Sequence, residues 1–119
     1  MLKIKRVYEK AEAADGYRIL VDRVWPRGLT KRQVQVQEWA AALAPTTALR
    51  RFFGHDPKRW KVFQARYRRE LKTNPEATEK LRELRARMHR QRVTLVYSAR
   101  DEKHNQAVVL NKILRGEKI

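Results

Sequence analysis

Residues Arg92 to Leu114, RVTLVYSARDEKHNQAVVLNKIL, hold the reading that decides the fold. Val93, Thr94, Leu95, Val96 and Tyr97 form a short apolar, β-branched run of the kind buried on both faces in an α/β sheet. Ser98, Ala99, Arg100 and Asp101 make a polar turn, with Asp101 expected as the N-cap of a following helix. Ala107, Val109, Leu110, Ile113 and Leu114 then give that helix a broad apolar face, and Gly116 closes it. Open α/β sheets bind ligands beyond the carboxyl ends of such strands, where following helices present free N–H groups. The turn after Tyr97 is therefore the expected position of a site.

Working outward, two helices precede this unit. His55-Asp56-Pro57 places an acidic cap before a proline at the first helical position. The predicted helix 57–72 has Trp60, Phe63, Tyr67 and Leu71 on one stripe. Thr73-Asn74-Pro75 repeats the device and starts a helix 75–90 with Ala77, Leu81, Leu84 and Met88 inward. Lys58, Lys61, Arg68, Arg69, Lys72, Lys80, Arg82, Arg85, Arg87 and Arg90 lie away from those stripes, so the pair carries much of the positive charge. Further upstream, Thr46 or Thr47 caps a short helix through Phe53 that stops at Gly54. Residues 37–43, QEWAAAL, read as helix, whereas 31–37 is ambiguous between helix and strand despite a Thr30–Gln33 capping-box pattern.

At the start of the chain, Leu2, Ile4 and Val7 alternate with Lys3, Lys5 and Arg6 in a first strand near 2–8. Asp15-Gly16 turns into a second buried run, YRILVDRV, over 17–24. Trp25-Pro26-Arg27-Gly28 follows as a loop, because Pro26 lacks a donor and Gly28 invites positive φ. The resulting expectation is a single compact α/β domain spanning 1–119. Its small sheet of three to four strands, mostly parallel or mixed, is covered by helices.

Composition narrows the functional classes. The chain has 119 residues, 29 Lys plus Arg against 13 Asp plus Glu, and a formal net charge of +16. Such a charge favours polyanionic partners. There is no cysteine, so thiolate metal sites, disulfides and cysteine nucleophiles are excluded. No apolar run approaches the length that spans a bilayer and charges interrupt the N-terminus, so the expectation is a cytoplasmic protein without membrane contact.

DGYRILVDRVWPRG, EWAAALAP, LRRFFGHDPKRWKVFQARYRREL and VTLVYSARDEKHNQAVVL together resemble the YeaO-like family, a domain of unknown function (DUF488), over nearly the whole chain and in matching order. The resemblance implies a small α/β domain of bacterial or archaeal cytosolic origin, with no established activity, substrate or cofactor. A longer related branch carries a cysteine and a Cys-His-Arg element around the last strand and helix. Here Tyr97-Ser98 and His104-Asn105 occupy that region, so thiol chemistry does not transfer.

If the strands ending at Val21 and Tyr97 are parallel neighbours, Asp22 and Arg23 stand beside Ser98 and Arg100. Arg23, Arg27 and Arg100 are then forked donors for a phosphate or carboxylate, joined by N–H groups of residues 102–104. The candidate ligand-binding set is Arg23, Trp25, Arg27, Gly28, Tyr97, Ser98, Arg100 and Asn105; the candidate catalytic residues are Asp22, Ser98 and His55. Each has a plainer reading: Asp22 paired with one arginine, Trp25 anchoring its proline loop, Ser98 capping a turn that lacks the glycines of a nucleophile elbow. No metal-ligand spacing links His55 or His104, and no glycine-rich nucleotide loop is present, so neither metal nor cofactor is expected. The leading expectation is a module binding a small anionic ligand, with non-specific nucleic-acid binding through helices 57–72 and 75–90 as a further partner. An enzyme acting on a phosphorylated or carboxylated substrate, with Asp22 as base and arginine clamps, is the alternative.

Overall fold

The computed structural model describes residues 1–119. Four strands form one parallel sheet: β1 (Leu2–Arg6), β2 (Tyr17–Leu20), β3 (Glu38–Trp39) and β4 (Val93–Tyr97), in the spatial order β1-β4-β2-β3. Parallel neighbours require long crossovers. These are supplied by α1 (Lys31–Val34), α2 (Thr47–Phe53), α3 (Trp60–Thr73) and α4 (Pro75–Met88), and α5 (Gln106–Leu114) follows β4. The expected α/β architecture is present, its sheet four-stranded and wholly parallel where mostly parallel or mixed was expected, and the apolar run Val93–Tyr97 lies inside it, buried at every position.

Alternation divides the strands between two unequal faces. Leu2, Ile19, Val93, Leu95 and Tyr97 point into the main core against Phe63, Tyr67, Leu81, Leu84, Leu110 and Ile113 from the helices. Leu20 and Val96 point the other way, into a small cluster with Val7 and Val34 that is closed by Trp25, Leu29 and Val36. Lys3, Lys5, Arg18 and Thr94 share this second side and surround Asp15, which is fully buried. Lys3 and Lys5 approach Asp15 at 2.8 and 3.2 Å, Arg18 Nη1 at 2.6 Å, and Thr94 Oγ1 donates to the Asp15 carbonyl at 2.6 Å. Burial alone would raise the Asp15 pKa. Hydrogen bonds from Lys3, the Glu12 backbone, Lys5 and Arg18 outweigh it and hold the carboxyl well below the usual range.

The caps form as their residue types dictate. Thr46 Oγ1 accepts from Leu49 N, Asp56 from Lys58 N, Asn74 from Glu76 N, and Thr30 and Gln33 close a reciprocal capping box. Two expectations are corrected. Residues 37–43 are not a helix: Glu38–Trp39 pairs with Ile19–Leu20 as the fourth strand, and only Ala41–Leu43 makes a helical turn, of the tighter three-residue kind. The edge of β2 needed a partner for its backbone groups, and Gln37 N and Ala40 N donate to Arg18 O and Leu20 O. Asp101 does not cap α5 either. It closes a turn by accepting from Lys103 N and His104 N, while Asn105 is the true N-cap, its Oδ1 accepting from Val108 N at 3.1 Å. The N–H groups of Lys103 and His104 therefore belong to that turn, and residues 102–104 precede the helix end at Asn105.

Gly16 is required where the chain enters β2. Its φ is +64°, and a Cβ there would sit 2.4 Å from the Arg92 carbonyl oxygen, which accepts from Tyr17 N. Gly16→Ala is expected to cost about 1–3 kcal/mol from the backbone conformation alone, with the steric overlap added. Urea unfolding of the variant checks this, and an unchanged midpoint would refute it.

Candidate functional site

Because β2 and β4 are parallel neighbours, Asp22, two residues beyond β2, and Ser98, directly beyond β4, emerge at the same end of the sheet. A cavity of about 440 Å³ opens there. Its floor is Asp22, Ser98, Asn105 and Gln106 at the ends of β2 and β4 and the start of α5; its walls come from the loop 23–27, from α2 and the residues flanking it, and from Phe63 of α3.

Asp22 is the most constrained polar group in it. The side chain is only 7% exposed. Oδ1 accepts from Gln106 Nε2 at 2.7 Å, whereas Oδ2 is buried without a hydrogen-bond partner. Burial pushes the Asp22 carboxyl pKa up, against the opposing pull of nearby Ser98, of Gln106 and of the Arg50 charge. The Ser98 side chain and backbone N–H face the carboxyl as well, but neither closes a hydrogen bond of good geometry on Oδ2. The Asp22 backbone is fixed by Trp39 Nε1, which donates to its carbonyl at 2.7 Å.

The arginines divide into two kinds. Arg23 is committed to structure: Nε donates to Pro45 O at 2.8 Å and Nη2 to Ala44 O at 3.1 Å, tying the end of β2 to the chain entering α2. Arg27, Arg50 and Arg51 line the cavity, are exposed, and have neither an ion pair nor a side-chain hydrogen bond within the protein. The ion pair proposed by sequence spacing between Asp22 and an arginine does not form; Gln106 takes that place.

Of the residues anticipated from sequence, Asp22, Arg23, Trp25, Arg27, His55, Ser98 and Asn105 line the cavity. Gly28, Tyr97 and Arg100 do not. Gly28 serves the loop with φ +79°, Tyr97 is buried in the main core, and Arg100 is exposed outside the lining. Trp25 anchors its loop through Nε1 to Leu29 O at 2.7 Å and meets Trp39 edge-on at 5.5 Å. His104 Nδ1 lies 2.8 Å from Asp101 Oδ2 and its ring stands edge-on to Trp60, while His55 leans on Phe53. Sequence reasoning missed Arg50, Arg51, Tyr8, Phe53, Phe63 and Gln106. The available signal was an Arg-Arg pair flanked by Leu49 and Phe52-Phe53, but nothing local says that α2 lies over the ends of β2 and β4. No three His, Asp or Glu side chains are grouped to hold a metal ion, and no helix is long and apolar enough to cross a membrane.

Fold and site together define a small parallel α/β domain whose strands end at an arginine-lined cavity with a buried carboxylate. The chain belongs to the YeaO-like DUF488 family: the family model described as the inactive DUF488-N3 subclade matches residues 1–118, as the blocks quoted above anticipated. It is similar to the uncharacterized protein YeaO of Escherichia coli (strain K12), 39% identical over 97% of both chains. It is also similar to the uncharacterized protein Rv3073c of Mycobacterium tuberculosis (strain ATCC 25618 / H37Rv), 37% identical over 97% of this chain and 94% of that one. No solved structure matches significantly.

Proposed function

We propose that the protein is a binding module that takes a small anionic ligand, bearing a phosphate or carboxylate, in the cavity at the carboxyl ends of β2 and β4. The observation that carries this is the set of three unpaired guanidinium groups, Arg27, Arg50 and Arg51, lining one concavity. Guanidinium forks match carboxylate and phosphate oxygens, and clustering like charges without counter-ions is unfavourable unless an anion joins them. The "inactive" description of the family agrees with binding in place of turnover.

The basic helices support a nucleic-acid partner less well than their composition suggests. On α4, Lys80 pairs with Glu38 and Glu83, Arg82 with Glu79, and Arg87 packs over the Tyr17 ring while Arg85 donates to Ile113 O. Those charges are already occupied within the fold. On α3, Arg68 is held by Glu117 and Arg66 lies over Phe52, leaving Lys61, Arg69 and Lys72 without partners. A second reading, an enzyme using Asp22 as base, is favoured by one observation, the buried unpaired Oδ2. Turnover of a phosphate ester, lost in a folded Asp22→Asn protein, would support it.

The binding reading is tested by calorimetric titration of the wild-type protein with inorganic phosphate and simple phosphate monoesters. Saturable one-to-one binding that weakens as salt rises is expected. Absence of binding up to about 10 mM for every ligand at low salt would overturn it.

A further inference from the structure

The anion reading accounts for the arginines and leaves Asp22 unexplained. A buried acceptor without a partner costs about 1–3 kcal/mol, and more when charged, so such a group calls for a cause. The fold is capable of satisfying a buried carboxylate. Asp15 is surrounded by Lys3, Lys5, Arg18 and the Glu12 N–H. Asp22 differs in lining the cavity, in having one oxygen taken by Gln106, and in leaving the other buried without a hydrogen-bond partner. None of the neighbouring arginines closes on it: Arg23 is turned to Ala44 and Pro45, and Arg27, Arg50 and Arg51 remain apart. The cavity thus presents a buried acceptor and, separately, a cationic cluster.

A ligand complementary to both carries an N–H donor and an acidic group on one body. The rest of the lining specifies that body. The aromatic residues Trp25 and Tyr8 belong to the lining together with the nearly buried Phe53 and Phe63, and the space of about 440 Å³ falls in the range of small-ligand sites. Inorganic phosphate would leave Oδ2 without a partner and the aromatic lining uncovered. A small amino acid would fill both ends and leave the same lining uncovered. A planar heterocycle with ring or exocyclic N–H groups, joined through a sugar to a phosphate, meets all three requirements. Resting on the anion-binding reading above, we infer that the cavity takes a nucleoside monophosphate unit, with a base N–H donating to Asp22 and the phosphate held by Arg27, Arg50 and Arg51. Phosphate recognition by side chains accounts for the lack of a glycine-rich loop, which is needed only where backbone N–H groups cradle the phosphate. Burial, which raises the Asp22 pKa, also strengthens a donor that reaches the ionised form, because water does not compete there.

The test is a calorimetric series on the wild-type protein with ribose 5-phosphate, AMP, GMP, CMP, UMP and purine riboside monophosphate, whose base has no N–H donor. At least one of the four common nucleotides is expected to bind about tenfold or more tighter than ribose 5-phosphate, the scale of one hydrogen bond to a charged group. If AMP is among them, the donor-free purine nucleotide is expected to lose that margin. Asp22→Ala, verified as folded by circular dichroism, should abolish the margin and keep ribose 5-phosphate binding. Should that variant not fold, the ligand series decides alone. Ribose 5-phosphate binding as tightly as every nucleotide overturns this inference and leaves the anion-binding reading standing, whereas no binding by any of them overturns both. A donor-free nucleotide matching AMP where AMP shows the margin also overturns it. A short 5′-phosphorylated oligonucleotide identifies the source: tighter binding than the free nucleotide assigns a strand terminus, weaker binding a free nucleotide, and both uphold the recognition chemistry.

Discussion

Asp15→Ala is expected to destabilise the fold by about 3–5 kcal/mol, the cost of removing one partner from a buried ionic cluster. The carboxylate is fully buried, and its removal strands Arg18, 3% exposed, beneath the sheet and leaves Lys5, 8% exposed, with Glu12 as its one remaining acid. Lys3 is half-exposed and returns to water at little cost. Arg18 retains bonds to the Val34 and Gln35 carbonyls, but its charge has no other acid in contact. Glu12→Ala is the matched control. Glu12 also meets Lys5 yet is exposed and screened by water, so its loss should destabilise far less than loss of Asp15. The same geometry sets a pH dependence. The folded-state pKa of Asp15 is depressed, so its stabilisation is complete above the unfolded carboxylate value of about 3.9 and is lost as pH falls toward the folded value. Urea unfolding across that range should show a steep acid limb in the wild type and a flatter one in Asp15→Ala. A midpoint unchanged by the substitution would refute the argument.

The same residues show how far a one-dimensional reading reaches. β4, its turn and α5 were legible because an apolar β-branched run, a polar break and an apolar helical stripe are local signals, and the Asp-Pro and Asn-Pro starts of the two long helical segments are equally local. The pairing of the two buried strands was a condition in that reading; the sheet supplies it, and with it the end at which the cavity lies. The failures are non-local. Glu38–Trp39 sits beside alanines that favour helix, yet it became a strand because the edge of β2 offered unpaired backbone groups. Asp101 was a good cap in isolation, but Asn105, four residues on, is where the chain enters α5. The alternation of Lys3 and Lys5 with Leu2, Ile4 and Val7 does not name a partner for them, and only the register of β1 with β4, together with the turn at Asp15, brings both onto one carboxylate. Arg50 and Arg51 follow the same logic: a helix of seven residues says nothing of what it lies over.

Those two arginines, with Arg27, carry the largest functional effect. Replacing all three with alanine is expected to lower affinity for a phosphate monoester about a hundredfold or more, since each charge-assisted hydrogen bond contributes about 1.5–3 kcal/mol. Stability should change by no more than about 0.5 kcal/mol per site, because none of the three side chains makes a hydrogen bond or ion pair in the fold. That separation of binding from folding distinguishes them from Arg23, whose replacement cuts the tie to Ala44 and Pro45 and should lower the melting temperature. Removing three positive charges also weakens the long-range field of a chain carrying +16, so the comparison needs a charge-matched control. Lys31, Arg32 and Arg90 are exposed, unpaired and outside the cavity lining, and their joint replacement by alanine removes the same charge from elsewhere. A local guanidinium site requires the cavity variant to lose far more affinity than this control. Equal losses would reduce the cavity arginines to contributors to a diffuse field, and wild-type affinity in the cavity variant would remove the anion site itself. Arg→Lys at the three cavity positions then resolves geometry from charge: lysine keeps the field but not the planar fork, so partial recovery well short of the wild type is the result that a site built on bidentate contacts demands.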